Sequence, residues 1–138
     1  MSNSYIDIIR SGINTTFQDK GRDHLYHIGI PFSGAMDNRN FLIANKLVNN
    51  NLDSAVIEFA YQGPLLEFLG SKTSFVITGN VNFKIIKKDA SEIKGECYKT
   101  YDLNDKDCLD IISTEKSVYG YVSVKGGFQL NKFCNSYS

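Results

Sequence analysis

The 138-residue sequence has no net charge: fifteen basic residues balance fifteen acidic ones. It also lacks a cationic block. Nucleic acid and anionic membrane surfaces therefore have no electrostatic footprint to meet. The cluster Lys84-Ile-Ile-Lys87-Lys88, with Lys94, reads as a solvated hairpin edge. Apolar runs are far too short to span a bilayer. The opening Met-Ser-Asn-Ser-Tyr lacks the charged and apolar regions of a signal peptide, so a cytoplasmic location is expected. Cysteine is scarce and badly spaced for chemistry. Cys97, Cys108 and Cys134 form an odd set with no C-x-x-C pair, which argues against zinc or redox work and for reduced thiols. Histidine is confined to His24 and His27, an H-x-x-H pair in a stretch that does not read as helix. No metal site is expected. Neither an internal repeat nor a linker interrupts the chain, so residues 1–138 read as one domain.

Turning to what is present, the 42% hydrophobic content fits a folded core rather than disorder. Most of the pattern is short strands. Tyr5–Ile9 alternates, and Leu25–Ile30 runs up to Pro31. Ala55–Ala60 is apolar and β-branched around Glu58, and Gly63-Pro64 breaks it. Leu65–Leu69 follows. Thr73–Thr78 and Val81–Ile86 flank Gly79-Asn80, a two-residue hairpin signal that predicts their pairing. Glu96–Tyr101, Cys108–Ser113 and Val118–Val124 complete the set. A single helix is expected near residues 38–48. Asp37 stands at its N-cap, and Phe41, Ala44, Leu47 and Val48 share one face. Asn49-Asn50-Asn51 ends it, since asparagine tolerates the left-handed angle. Many short strands with one helix predict a mainly β fold, either barrel or sandwich.

The stretch from Gly12 to Asp37 is different in kind. Gln18, Asp19, Arg22, Ser33 and Asp37 lie among glycines and a proline. Bent backbone interspersed with donors, acceptors and opposite charges suits a shaped polar surface.

Here a resemblance enters. Thr15-Thr16-Phe17-Gln18-Asp19-Lys20-Gly21-Arg22 resembles the T-T-x-Q-D-x-G-R opening of the biotin-dependent carboxyltransferase family. That family includes the C subunit of ATP-dependent 5-oxoprolinase, the KipA regulators and allophanate hydrolase subunit 2-like proteins. Gly29 to Asp37 is similar to G-V-P-x-S-G-A-M-D, and Ala44 to Asn50 to A-N-x-L-V-G-N. Glu58, Gly63-Pro64, Thr78-Gly79 and Tyr121–Gly127 fall in order where the family has E, G-P, T-G and Y-L-A-V-x-G-G. Asn49 replaces a glycine, Leu103-Asn104-Asp105 stands where A-G-D is usual, and the match covers only the family's N-terminal half. The resemblance implies a cyclophilin-like β-barrel. It implies a B-subunit-like (KipI-like) partner, an A-subunit-like protein and a small amide or lactam substrate. ATP would be used by the complex. Biotin belongs to some relatives but finds no support in these residues. A homo-oligomer stays open.

Both family chemistries act on an amide-like C=O and N–H, so a cation for oxyanion charge and a carboxylate for the N–H are wanted. Arg22 is the candidate for the first, its planar fork fitting carbonyl, carboxylate or phosphate. It can equally pair with Asp19 or Asp23 and brace the loop. Asp19 can hold the N–H or act as base, or cap the Gly21 turn. Gln18 can orient an amide. Ser33 lacks a G-x-S-x-G context or a placed His–Asp relay, and reads as a hydrogen-bonding serine rather than a nucleophile. Asp37 reads as the helix cap. Glu58 sits among Val56, Ile57 and Phe59, and a carboxylate there needs a partner, expected in the Gln18–Arg22 loop. The expected function is a C-subunit-like component of an ATP-dependent 5-oxoprolinase or a related amide-processing complex. The alternatives are a non-catalytic KipA-like module and an inactive truncated fragment.

Overall fold

The computed structural model describes residues 5–12, 15–18, 37–52, 54–115 and 118–127. The strands are β1 (Tyr5–Arg10), β2 (Thr16–Gln18), β3 (Val56–Ala60), β4 (Leu65–Leu69), β5 (Thr73–Thr78), β6 (Val81–Ile86), β7 (Glu92–Lys94), β8 (Tyr101–Leu103), β9 (Cys108–Thr114) and β10 (Tyr119–Val124). The one helix among the described residues is α1 (Asn38–Leu47). Among the described residues two five-stranded antiparallel sheets form, in the orders β1-β4-β9-β6-β7 and β2-β3-β10-β5-β8. Among the described residues they face one another without closing into a single barrel, and the mainly β reading holds.

The core lies between the sheets. Ile57, Phe59, Phe75, Ile77 and Val122 meet Leu66, Phe68, Phe83, Leu109 and Ile111 there. Burying each such side chain contributes about 1.5–3 kcal/mol. A second cluster lies on the outer face of the second sheet, where Phe41 and Ala44 of α1 and the capping residue Val48 cover Val56, Val76 and Tyr121. Strands β3, β10 and most of β5 are thus buried on both faces, which is why they read as nearly continuous apolar runs.

The Gly79-Asn80 expectation needs correction. β5 pairs with β10 and β8, whereas β6 pairs with β9 and β7. Gly79-Asn80 is a corner between sheets. Gly79 has φ +108, an angle glycine adopts freely, and the chain crosses there from one sheet to the other. Each of these strands has its own core-facing set, Phe75 and Ile77 in one and Phe83 and Ile85 in the other, and the two sets face each other across the core.

Glu96–Tyr101 is likewise not one strand. The chain turns at Tyr98, which has φ +64 and donates its amide to Ile77 O at 2.8 Å, and the extended run starts only at Tyr101. In its place β7 pairs with β6 and forms the solvated edge hairpin, with Lys84 bridging to Glu92 at 3.2 Å. Its three residues are all exposed and carry no apolar period, so sequence alone did not mark them. Leu25–Ile30 lies outside the described residues.

The helix begins where its cap chemistry puts it. The Asp37 carboxylate accepts from the Asn40 amide at 3.2 Å and from Asn40 Nδ2 at 2.7 Å. Its other end is stapled by side chains. Buried Asn45 donates to Leu52 O and Ser54 O at 3.2 and 2.8 Å and accepts from Ser123 Oγ at 3.0 Å. Asn49 takes φ +60, the left-handed angle expected of it. Asn50 donates to Val124 O at 2.7 Å and accepts the Gly126 amide at 2.8 Å, so the Gly126-Gly127 turn is tied to the helix end. Among the described residues no helix is long and apolar enough to cross a membrane.

Candidate functional site

The second sheet aligns one residue from each of four strands. Thr16 pairs with Glu58, Glu58 with Tyr121, and Tyr121 with Thr78. Cross-strand partners share a face, and this is the face that carries α1. Glu58, Tyr121 and Thr78 are 4%, 0% and 0% exposed, so a polar row runs beneath the first turn of the helix.

Burying such groups is unfavourable unless each finds a partner. Tyr121 supplies one. Its hydroxyl donates to Glu58 Oε2 at 2.6 Å and accepts the Asp37 amide at 2.7 Å. Thr78 Oγ1 donates to Asn40 O at 2.9 Å. The Tyr98 hydroxyl donates to Asn40 Oδ1 at 2.5 Å and accepts the Gly79 amide at 3.1 Å. Two strands and a loop therefore grip the start of α1. Burial, and next the hydrogen bond to Glu58, push the Tyr121 hydroxyl well above the usual tyrosine range. It stays neutral and remains a donor.

Of the residues expected from sequence, Glu58 is on this row. One partner of its carboxylate is Tyr121 of β10; the expected partner in the Gln18–Arg22 loop falls, apart from the backbone of Gln18, outside the described residues. Asp37 is the cap. Gln18 ends β2, its Cα opposite Val56, two residues along from the row. Asp19, Arg22 and Ser33 lie outside the described residues, as do His24, His27 and Cys134. Cys97 and Cys108 are free thiols, and burial raises both above the ordinary thiol range. Among the described residues no cluster of His, Cys, Asp and Glu is arranged to hold a metal.

Sequence reasoning missed Tyr121, Thr78 and Asn40 as a unit. Tyr121 and Thr78 were already within matched motifs, but nothing local said that their side chains converge on Glu58 and the helix cap. The result is a fixed buried carboxylate, oriented by a neutral phenol, beside β2, which lies within the Gly12–Asp37 stretch.

Comparison with known proteins bears on the family and the fold. The family model for the carboxyltransferase domain, subdomain A and B, matches residues 28–138. Urea amidolyase of Saccharomyces cerevisiae is 31% identical over 134 residues, covering 96% of this chain and 7% of that protein. The 5-oxoprolinase C subunit of Haemophilus influenzae is 31% identical over 133 residues, covering 96% of this chain and 41% of that protein. The crystal structure of K. lactis urea amidolyase superposes with a TM-score of 0.73 at 29% identity, covering 88% of this chain and 7% of that one. The chain spans less than half the length of each of these relatives.

Proposed function

The chain belongs to the carboxyltransferase domain family, subdomains A and B, and from that premise we propose that it is a C-subunit-like component of an amide-processing complex, in first place an ATP-dependent 5-oxoprolinase. The observation that carries the reading is the buried Glu58 carboxylate held by Tyr121 at 2.6 Å. A lactam offers an N–H and a C=O side by side. Glu58 or Asp19 accepts the N–H, with Asp19 also the candidate base. Arg22 meets the carbonyl or carboxylate and stabilises charge that develops on oxygen. Gln18 orients the amide, and Ser33 donates a hydrogen bond from the Pro-Phe-Ser-Gly loop.

Partners of the B-subunit and A-subunit type complete this complex. The Gly126-Gly127 turn does not fit a phosphate. In the Gly126-Gly127 turn the Gly126 amide is committed to Asn50 Oδ1 at 2.8 Å and the Gly127 amide to Val124 O at 2.9 Å, so neither is free to cradle phosphate. ATP consumption is assigned to a partner, and no step is routed through ATP here.

The test is co-expression with A-type and B-type partner proteins and measurement of ATP-dependent glutamate release from 5-oxoproline. Release that is abolished by Arg22→Ala supports the reading. A stable complex without turnover favours a KipA-like regulatory module instead. A second enzymatic reading, carboxyl transfer to urea, is favoured by the urea amidolyase match over 96% of the chain. Urea-dependent consumption of carboxybiotin by the assembled complex would select it.

A further inference from the structure

Resting on this amide-processing reading, we propose that Tyr121 is a positioning residue, which fixes the Glu58 carboxylate and the first turn of α1 in a single geometry without touching substrate itself. The hydrogen-bond polarity carries the argument. A backbone N–H only donates, so the Tyr121 oxygen accepts from Asp37 at 2.7 Å. Its one proton is then directed at Glu58 Oε2, 2.6 Å away. The ring has no freedom to do otherwise. It is fully buried, wedged among Phe41, Ala44, Val48, Val56 and Val76.

A purely structural role explains this less well. Phenylalanine would fill the same space against α1 and would not require a buried carboxylate opposite it. Replacing buried polar pairs with packed apolar groups is often neutral or stabilising. What the hydroxyl adds is direction. It places one carboxylate oxygen and thereby sets the plane in which the whole group meets its donors. An amide substrate's N–H is such a donor. Thr78 on the row and Tyr98 in the loop before β8 serve the same end, since they hold Asn40 at 2.9 and 2.5 Å and thereby hold the cap that Tyr121 contacts.

The test uses the full chain, alone and assembled with its partner proteins, as wild type, Tyr121→Phe, Glu58→Gln and the double variant. Amide hydrogen exchange by NMR reads the cap. Loss of the hydroxyl is expected to speed exchange at Asp37 by about tenfold or more. Steady-state kinetics read the carboxylate. Tyr121→Phe is expected to lower kcat by about tenfold or more while KM stays within about twofold, and to add nothing in the Glu58→Gln background. Unchanged exchange at Asp37 overturns the proposal. So does an unchanged kcat, or a loss of equal size with and without Glu58→Gln, because either result means that the hydroxyl serves stability alone. Should Tyr121→Phe fail to fold, Glu58→Asp withdraws the carboxylate by one methylene from an intact tyrosine. A full kcat in that variant overturns the proposal, and a tenfold loss upholds it. An inactive wild-type complex sinks the amide-processing reading itself. In that event exchange at Asp37 decides alone, with acceleration in Tyr121→Phe upholding the fixed cap and a normal rate overturning it.

Discussion

A methyl group added at Gly120 would test the core and the site at once. An ideal Cβ there would lie 2.5 Å from Phe59 Cζ, 2.6 Å from Phe59 Cε2 and 2.7 Å from Val81 Cγ2. The first contact falls about 0.9 Å inside the 3.4 Å at which ordinary van der Waals contact begins. Phe59 and Val81 are both buried and both belong to the central cluster, so neither can swing into solvent. Overpacking of this kind costs about 1–3 kcal/mol. Gly120 pairs with Phe59 directly beside the Tyr121 and Glu58 pair, so displacement of Phe59 is transmitted to β3 where it carries Glu58. Urea denaturation of Gly120→Ala, Phe59→Leu and the double variant measures this. The collision disappears with the ring, so the double variant is expected to be more stable than the two single losses added together, by about 1 kcal/mol or more. Strict additivity, or a Gly120→Ala loss below about 0.5 kcal/mol, would refute the reasoning.

Lys87→Met removes the cation 2.6 Å from Asp107, a carboxylate only 1% exposed. Asp107 keeps its bonds from the Lys88 and Asn104 amides, so the expected loss by urea denaturation is about 1–3 kcal/mol. Ala90 sits at φ +73 in the turn between β6 and β7. Ala90→Gly relieves that angle at some expense in chain entropy, and a net gain of about 0.5 kcal/mol is expected from the midpoint of chemical denaturation. The raised Tyr121 gives alkaline pH a sign. Below about pH 10 both folded and unfolded states keep this proton and nothing changes; above it only the unfolded chain releases it, so stability falls by up to about 1.4 kcal/mol per pH unit. Tyr121→Phe lacks that component, and the stability difference between wild type and variant should shrink from pH 10 upward. A pH-independent difference would contradict it.

The sequence made strand identity legible wherever punctuation bracketed an alternating run. Leu65–Leu69, Thr73–Thr78 and Val81–Ile86 all stand in the structure with the bounds read from Gly63-Pro64, Ser71-Lys72 and Gly79-Asn80. Pairing was another matter. Alternation tells which face is buried but not which strand lies alongside, and consecutive strands are neighbours only about two-thirds of the time. β5 and β6 are among those that are not. The helix cap was legible because Asp37 acts on an amide three residues away. Glu58 was legible as an anomaly, a charge in an apolar run. Its hydroxyl partner was not, because Tyr121 lies 63 residues further on and only the sheet register brings the two together.

The polar row has a kinetic consequence. Thr16, Glu58, Tyr121 and Thr78 come from four strands, and their pairing requires β10 to insert between β3 and β5. Such non-local closure comes late and slowly in folding. No sub-fragment that lacks β10 can present the row, so a nascent chain acquires it only once synthesis has passed Val124. Conversely, a ligand or partner that requires the assembled row binds only the finished sheet, and its affinity is returned as protection of the whole second sheet against opening.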